Sequence, residues 1–566
     1  MARTVAIGHQ DYETVRMNDY FYIDKTDFIR VWWNSGDMVT LITRPRRFGK
    51  TLNMSMTEKF FSVRYAGRQD LFEGMKVWEQ EDLRHLQGTY PVIAMTFAGI
   101  KDTNYISARE SICRVIENLY NKNDFLMKGS LLNEKEKAYY NQVKADMDDS
   151  TAAASLNNLS DYLERYYGKK VVILLDEYDT PMQEAYTGGY WKEMVSFTRN
   201  LFNNTFKTNP HLERALLTGI TRVSKESVFS DLNNLVVIST TSEKYAPFFG
   251  FTEEEVFHAL DEFGLSDKRE EVKLWYDGFT FGNKSDIYNP WSILNYLKER
   301  HAAPYWANTS SNHMVSRLIQ QSSAGIKDDF YMLLEGGCVE TEIEEQIVYD
   351  QLDKDDKAIW SLLVASGYLT VRQVETMQRG YEEWQQIYTL SLTNFEVKIM
   401  FRQMVNGWFA KAASHYNAFI RALLLGDLDA MNEYMNRISM SVFSYFDTAG
   451  DREQMEPERF YHGFVLGLLV DLTDSYRLTS NRESGFGRYD VMLLPKQKHL
   501  DGIIIEFKVY NPRREKTLQD TAANALRQIE QKGYARELLE SGLPENRIRE
   551  YGFAFRGKEV FIDQSG

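Results

Sequence analysis

Apolar and polar positions along the chain fall into short aliphatic runs, each closed by a polar break and followed by apolar residues three and four apart. Strands and amphipathic helices leave this alternation in a sequence. Met38, Val39, Leu41 and Ile42 form one such run, which breaks at Pro45 and passes through Gly49-Lys50-Thr51 into Leu52, Met54, Met56 and Phe60 at helical spacing. Tyr90 to Phe97, Val171 to Leu175, Arg214 to Thr218 and Leu235 to Ser239 are further strand-length runs, with a long polar helical region from about 104 to 168 after the first of them. Strands separated by helices predict an α/β fold with a parallel sheet. Ahead of this, Tyr20 to Ile23 reads as a short strand leading into a helix over Asp27 to Trp33. That segment either packs on the sheet or brings Asp24 or Lys25 near a nucleotide.

Farther on the period changes. Residues 245–345 carry helical periodicity, with Asn289-Pro290 as cap and first turn of a helix over Trp291 to Arg300. A helix over Lys357 to Ser366 and two strands, Tyr368 to Val374 and Trp384 to Leu392, predict a winged-helix-like element. Near the end, Tyr489 to Leu494 and Gly502 to Val509 are strands around a polar turn. The expected organisation is a P-loop core over 1–244, a helical lid over 245–345, a helical or winged-helix-like linker over 346–450 and a second α/β domain over 451–566.

Length and composition narrow the class. At roughly 150 residues per domain, 566 residues suggest three or four domains. A hydrophobic share of 43% and an aromatic share of 14% describe a globular chain with large cores. No apolar run approaches the ~20 residues of a membrane helix and no signal-peptide pattern stands at the start, so a soluble, cytoplasmic protein without a membrane partner is expected. Cys113 and Cys338 are too few and too far apart for a disulfide scaffold or a CxxC metal site, and both are expected to be buried. A net charge of −15 argues against indiscriminate coating of nucleic acid, although a local basic patch can still bind it.

The first candidate chemistry lies at Gly49-Lys50-Thr51. A tight loop that delivers backbone N–H groups and a lysine to a helix N-terminus is an anion site. In a Walker A loop the lysine reaches the β/γ-phosphates and the hydroxyl binds Mg²⁺. The first glycine of GxxxxGK[ST] is missing here, since position 44 is Arg44. Arginines 44, 46 and 47 either hold phosphate or line a solvated turn. Val171 to Leu175 then ends in Asp176-Glu177, which has Walker B form: Asp176 would hold Mg²⁺ and Glu177 would orient the attacking water. An acidic pair in this place can also be a helix cap region. The candidate nucleotide site therefore comprises Arg46, Arg47, Phe48, Gly49, Lys50, Thr51, Leu52, Asp176 and Glu177. Thr218, at the end of the next strand, is a candidate to read the γ-phosphate, and Arg222 either stabilises charge in cis or in trans or makes a surface ion pair.

The second candidate chemistry lies near the C-terminus. Asp490 is on one strand and Glu506 and Lys508, two apart and so on one face, are on the next, while Phe507 points into the core. Charges on an otherwise apolar strand are costly to bury unless they bind something. Two carboxylates and the Phe507 carbonyl make an oxygen-rich pocket suited to Mg²⁺ or Mn²⁺, and Lys508 can hold water or steady a scissile phosphate. Arg488, Arg513, Arg514, Lys516, Arg527, Lys532 and Arg536 either neutralise backbone phosphates or form a solvated helical surface.

The segments YIDKT, RPRRFGKT, LLDEYDTP, LTGITRVSKES and FSDLNN, in this order, resemble a bacterial family of AAA-ATPase-like proteins that carry a C-terminal PD-(D/E)XK nuclease module. WYDGF, YNPWS, YWANTS, SGYLT and the stretch Ser480 to Arg488 extend the resemblance through most of the chain. It implies an AAA-like fold, ATP with Mg²⁺ or Mn²⁺ as cofactors, and Asp490, Glu506 and Lys508 as nuclease residues. It further implies Glu458 as an acidic metal ligand on a preceding helix and Gln528 as a brace. A tyrosine precedes Asp490 where the superfamily pattern has proline. The expected function is an ATPase coupled to a metal-dependent nuclease acting on DNA, with assembly into a homo-oligomer expected at family level. The alternative is a nucleotide-switched regulator whose C-terminal module holds nucleic acid or protein without cutting.

Overall fold

A computed structural model describes residues 3–221, 232–307, 324–334, 336–344, 356–379, 383–409, 413–442, 465–469, 475–484, 487–497 and 500–565, with isolated positions between them. The chain forms two compact units, Met1–Leu318 with Cys338–Met400, and Ile319–Gly337 with Phe401–Gly566. Among the described residues no helix is long and apolar enough to cross a membrane.

The first unit is built on five parallel strands: β1 (Val39–Thr43), β2 (Val92–Thr96), β3 (Val171–Asp176), β4 (Leu212–Gly219) and β5 (Leu235–Ile238), in the order β2-β3-β4-β1-β5. Every residue of β1 and β3 is buried, as expected of strands covered on both faces and written as unbroken apolar runs. An aromatic-rich core including Tyr12, Phe28, Trp32, Phe60, Phe61 and Phe72 lies between this sheet and its helices. The polar region after β2 divides into helices Tyr105–Lys122, Glu134–Gln142 and Asp149–Tyr167. A capping box of Asn133 and Glu136 starts the middle one. The helix expected from Asp27 runs to Asn34, and the residues before it serve packing: Lys25 Nζ donates to Pro247 O at 2.7 Å and pairs with Glu255, while Asp24 accepts from Thr26 N and Lys76 N.

Beyond β5 the expected helical segment also contains a small antiparallel sheet. Its strands are β6 (Phe251–Thr252), β7 (Phe279–Phe281) and β8 (Lys284–Tyr288), ordered β6-β8-β7. The β7–β8 turn uses Gly282 at φ +56°, in the left-handed region that favours glycine. Helices Glu253–Glu262, Arg269–Tyr276 and Pro290–Glu299 surround it. Asn289 caps the last as its sequence predicts, accepting from Trp291 N and Ser292 N. The expected helix and two strands are present as helix Asp356–Ala365, β10 (Leu369–Arg379) and β11 (Glu383–Leu392), with β9 (Val339–Thr341) added as a third strand in the order β10-β11-β9. Cys113 is buried as expected. Cys338 is exposed, contrary to expectation, because it follows the Gly336-Gly337 turn that leads into β9.

Glu396 opens the helix Phe395–Phe409 and is fully buried. Burial raises its pKa from the usual 4.5 to about 7, against the hydrogen bonds from Ser292, Trp306 and Ala307. A raised acid favours the protonated folded state, so this contribution is fully present below about pH 4.5 and is lost as pH rises through about 7. Glu396→Gln should therefore become relatively more stable than the wild type with rising pH, by about 2 kcal/mol at pH ~8. Melting temperatures of both proteins at about pH 5 and pH 8 check this.

The second unit carries helices Ala413–Leu425 and Leu428–Val442 and a five-stranded mixed sheet. Its strands are β12 (Tyr476–Ser484), β13 (Gly487–Pro495), β14 (Gly502–Val509), β15 (Ile548–Arg556) and β16 (Glu559–Gln564), in sequential order. Only β14 and β15 run parallel, and the helix Leu518–Lys532 makes the crossover between them. Phe507, Phe553, Phe555, Val491 and Leu493 belong to its core.

Candidate functional site

At the end of β1 the chain turns through Arg44 to Phe48 and enters the helix Lys50–Phe61 from Gly49, whose φ is +79°. Lys50 is buried, and its Nζ donates to the carbonyls of Arg44 at 2.9 Å and Pro45 at 2.8 Å. Burial lowers its pKa, opposed by the charges of Glu177, Asp176 and Asp179. Thr51 Oγ1 donates to Asp176 Oδ2 at 2.7 Å, and Thr218 Oγ1 donates to Asp176 Oδ1. Strand order explains this convergence: β4 lies between β1 and β3, so Thr218 stands between the loop and the acid. A buried ammonium, a threonine hydroxyl and a carboxylate at a helix N-terminus form a donor set that fits a nucleoside triphosphate and its divalent cation.

The rest of the loop divides between contacts to the protein and exposed side chains. Arg46 has an exposed side chain, while its carbonyl accepts from Trp306 Nε1 at 3.1 Å and Asn289 Nδ2 at 3.3 Å. The Arg47 guanidinium lies 4.0 Å from the centre of the Trp291 ring. Phe48 is buried edge-on against Phe279 and Phe281, and Leu52 is half-buried against the core. Phe48 can offer a phosphate only its main-chain amide, whereas the side chains of Arg46 and Arg47 are exposed. Arg44 lies neither on a solvated turn nor open to a ligand. It is fully buried, donates through Nη1 to Thr43 O at 3.0 Å and to Ser239 O, and stacks 4.5 Å from the centre of Phe281. Burial lowers its pKa to about 9.

Glu177 follows Asp176 in the left-handed region, at φ +51°, with a half-buried side chain. A non-glycine residue held there is strained, which occurs disproportionately at functional positions. The next two residues do something the sequence reading did not anticipate. Asp179 makes no side-chain cap on the helix Thr180–Gly188. Its Oδ2 instead accepts from Ile220 N at 3.0 Å and from Thr221 N and Oγ1 at 2.9 Å, and the Tyr178 hydroxyl donates to Thr221 O at 2.8 Å. A Cβ at Gly219 would stand 2.7 Å from both Asp179 Oδ1 and the Tyr178 ring. These residues clip the turn after β4 to the turn after β3 and so fix Thr218 beside Asp176. Arg222 lies outside the described residues.

In the second unit Val491 pairs with Ile505, which sets Asp490 opposite Glu506 on the adjacent antiparallel strand. Asp490 Oδ2 accepts from Phe507 N at 2.8 Å. Burial raises the Asp490 pKa to about 6, against the Phe507 amide and the Lys508 charge. Glu506 is only 2% exposed, and the Phe507 ring packs inward against Phe553. Lys508 Nζ donates to Gln528 Oε1 at 2.7 Å, and Gln528 Nε2 donates to Glu506 Oε1 and to the Tyr534 hydroxyl. The brace thus joins the acid to the amine. Gly552, the register partner of Glu506, lets the helix bearing Gln528 approach: a Cβ there would meet Ala522 O at 2.5 Å. A buried and a half-buried carboxylate on adjacent strands fit a hard divalent cation. Arg513, Arg514, Lys516, Arg527, Lys532 and Arg536 are exposed, with Arg536 paired to Glu540 at 2.8 Å. Glu458 lies outside the described residues, as does the Arg488 side chain.

The two units thus present a P-loop α/β domain with an AAA-like sheet and a mixed sheet bearing the D…ExK set of a nuclease fold. Residues 6–229 match the family described as "Predicted AAA-ATPase", and residues 456–565 match the PD-(D/E)XK nuclease superfamily. The chain therefore carries an AAA-ATPase-like domain at its N-terminus and a PD-(D/E)XK nuclease superfamily domain at its C-terminus. It is also similar, at 26% identity over 96% of its length and 95% of the relative's, to the "Uncharacterized protein in vnfD 5'region" of Azotobacter chroococcum mcd 1.

Proposed function

We propose that the chain is an ATP-binding P-loop ATPase coupled to a Mg²⁺- or Mn²⁺-dependent PD-(D/E)XK-type nuclease that acts on DNA. The observation that carries this reading is the second centre, where Asp490, Glu506, Lys508 and Gln528 converge on one sheet face. A divalent cation held by Asp490, Glu506 and the Phe507 carbonyl, with Glu458 as a further ligand, would supply Lewis acidity and an activated water. Lys508 steadies the negative charge of the scissile phosphate, Gln528 keeps Lys508 and Glu506 in register, and the exposed arginines and lysines neutralise neighbouring phosphates. At the nucleotide site Lys50 would orient the β/γ-phosphates, Thr51 and Asp176 would hold Mg²⁺, and Glu177 would act as base. Thr218 reads the γ-phosphate and Arg222 supplies charge. Nucleotide state then biases the lid. The protein works in the cytoplasm, in a homo-oligomer.

The test uses the purified full chain with Mg²⁺ or Mn²⁺, with and without ATP, on plasmid and single-stranded DNA. Metal-dependent scission is expected, and Lys50→Ala should weaken ATP binding by about tenfold or more. DNA left intact under every condition overturns the nuclease reading, and retention of DNA without scission fits the regulator instead. Unchanged ATP affinity in Lys50→Ala overturns the P-loop assignment.

A further inference from the structure

The carbonyl of Arg46, in the middle of the P-loop, is held by two side chains far away in sequence, Trp306 at 3.1 Å and Asn289 at 3.3 Å. Both come from segments that meet at one buried carboxylate. Glu396 Oε1 accepts from Trp306 N at 2.6 Å and Ala307 N at 3.3 Å, and its Oε2 accepts from Ser292 Oγ at 2.8 Å, one helical turn from Asn289. The buried Trp306 ring packs against Phe279 and Tyr368, each with its centroid 5.5 Å away, so its indole N–H has little freedom to aim elsewhere. Loop carbonyls next to Arg46, those of Arg44 and Pro45, are the acceptors of Lys50. Loop curvature and lysine position therefore depend on the same short stretch of main chain.

We propose that Glu396 is a positioning residue of the ATP site: by tying the Trp306 main chain to the Asn289–Ser292 turn, it holds both donors on the Arg46 carbonyl and sets the curvature of the P-loop. This rests on the ATP-binding reading above. A buried acid is a costly way to join two segments that apolar packing could join, and a carboxylate can take three donors at once, which no apolar side chain does. The outcome is a loop shaped from outside, by a residue 350 positions after it in sequence (396 − 46).

The test measures binding of a fluorescent ATP analogue with Mg²⁺ to the full chain, alongside the melting temperature. Trp306→Phe keeps an aromatic ring at the position but removes the N–H donor together with the rest of the indole, leaving a cavity at a fully buried site. It should weaken binding about 3- to 10-fold at temperatures where the variant is fully folded, with a melting temperature lowered by the cavity. Glu396→Ala should weaken it further, and Glu396→Gln, which keeps a carbonyl acceptor, should bind nearly as the wild type does. If Glu396→Ala fails to fold, the Trp306→Phe and Glu396→Gln pair decides. Wild-type affinity in Trp306→Phe, or Glu396→Gln weakened as much as Trp306→Phe, overturns the brace. A wild-type chain that binds no analogue removes the ATP reading, and the brace with it.

Discussion

Glu506→Ala should lower metal-dependent DNA scission by about a thousandfold or more while leaving ATP affinity unchanged. Glu506 lies on the buried face of β14, opposite Asp490, and shares Gln528 with Lys508. Truncation removes one of the carboxylates that would hold the cation. It also removes one of the two acceptors that orient the Gln528 amide, the group that bonds the Lys508 amine. The loss should exceed that of Lys508→Ala, which leaves both carboxylates in place. Plasmid nicking assays in Mg²⁺ and Mn²⁺ give the comparison, with binding of an ATP analogue as the control for folding. Cleavage by Glu506→Ala at the wild-type rate would move the active centre away from β13 and β14.

Arg44→Gly supplies the glycine that the Walker pattern asks for, yet it should destabilise the first unit by about 3–5 kcal/mol and weaken ATP binding. The guanidinium is fully buried and bonds the carbonyls of Thr43, Ser239 and Lys244, with Phe281 against its face. It joins the end of β1 to the segment through which the chain leaves β5. Removing it leaves three carbonyls without that donor and a cavity behind the loop. Urea unfolding of the two proteins measures the difference. A variant more stable than wild type, or one with tighter ATP binding, would show that Arg44 only fills a place where glycine does better.

The strands of the parallel sheet, and β13 and β14 of the second sheet, were legible because buried strands leave unbroken or alternating apolar runs, whereas β12, β15 and β16 were not read as strands. Asp176 and Glu506 stood out for the opposite reason, as charges where the pattern calls for none. The small sheet of β6, β7 and β8 was not legible: a strand of two residues, Phe251–Thr252, is too short to show a period. Asp179 was not legible either: it stands at the N-terminus of the helix Thr180–Gly188, but its partners at 220 and 221 lie 41 and 42 residues ahead. Trp306 reads from sequence as an ordinary core aromatic, and the core is where its ring lies. Its indole N–H, however, reaches the P-loop across 260 residues, and no local pattern announces a contact of that span. Glu396 was hidden in the same way, by partners 90 and 104 residues before it.

Gly552 has a consequence for how the nuclease centre can vary. It is the register partner of Glu506, and the helix carrying Gln528 rests on it so closely that a single added methyl would meet the Ala522 carbonyl. Such a methyl would act as a shim, prising helix from sheet and drawing the amide out of reach of acid and amine together. Clearance at a position that offers no functional group therefore limits which neighbours of the site can change, and a survey restricted to charged residues would overlook it.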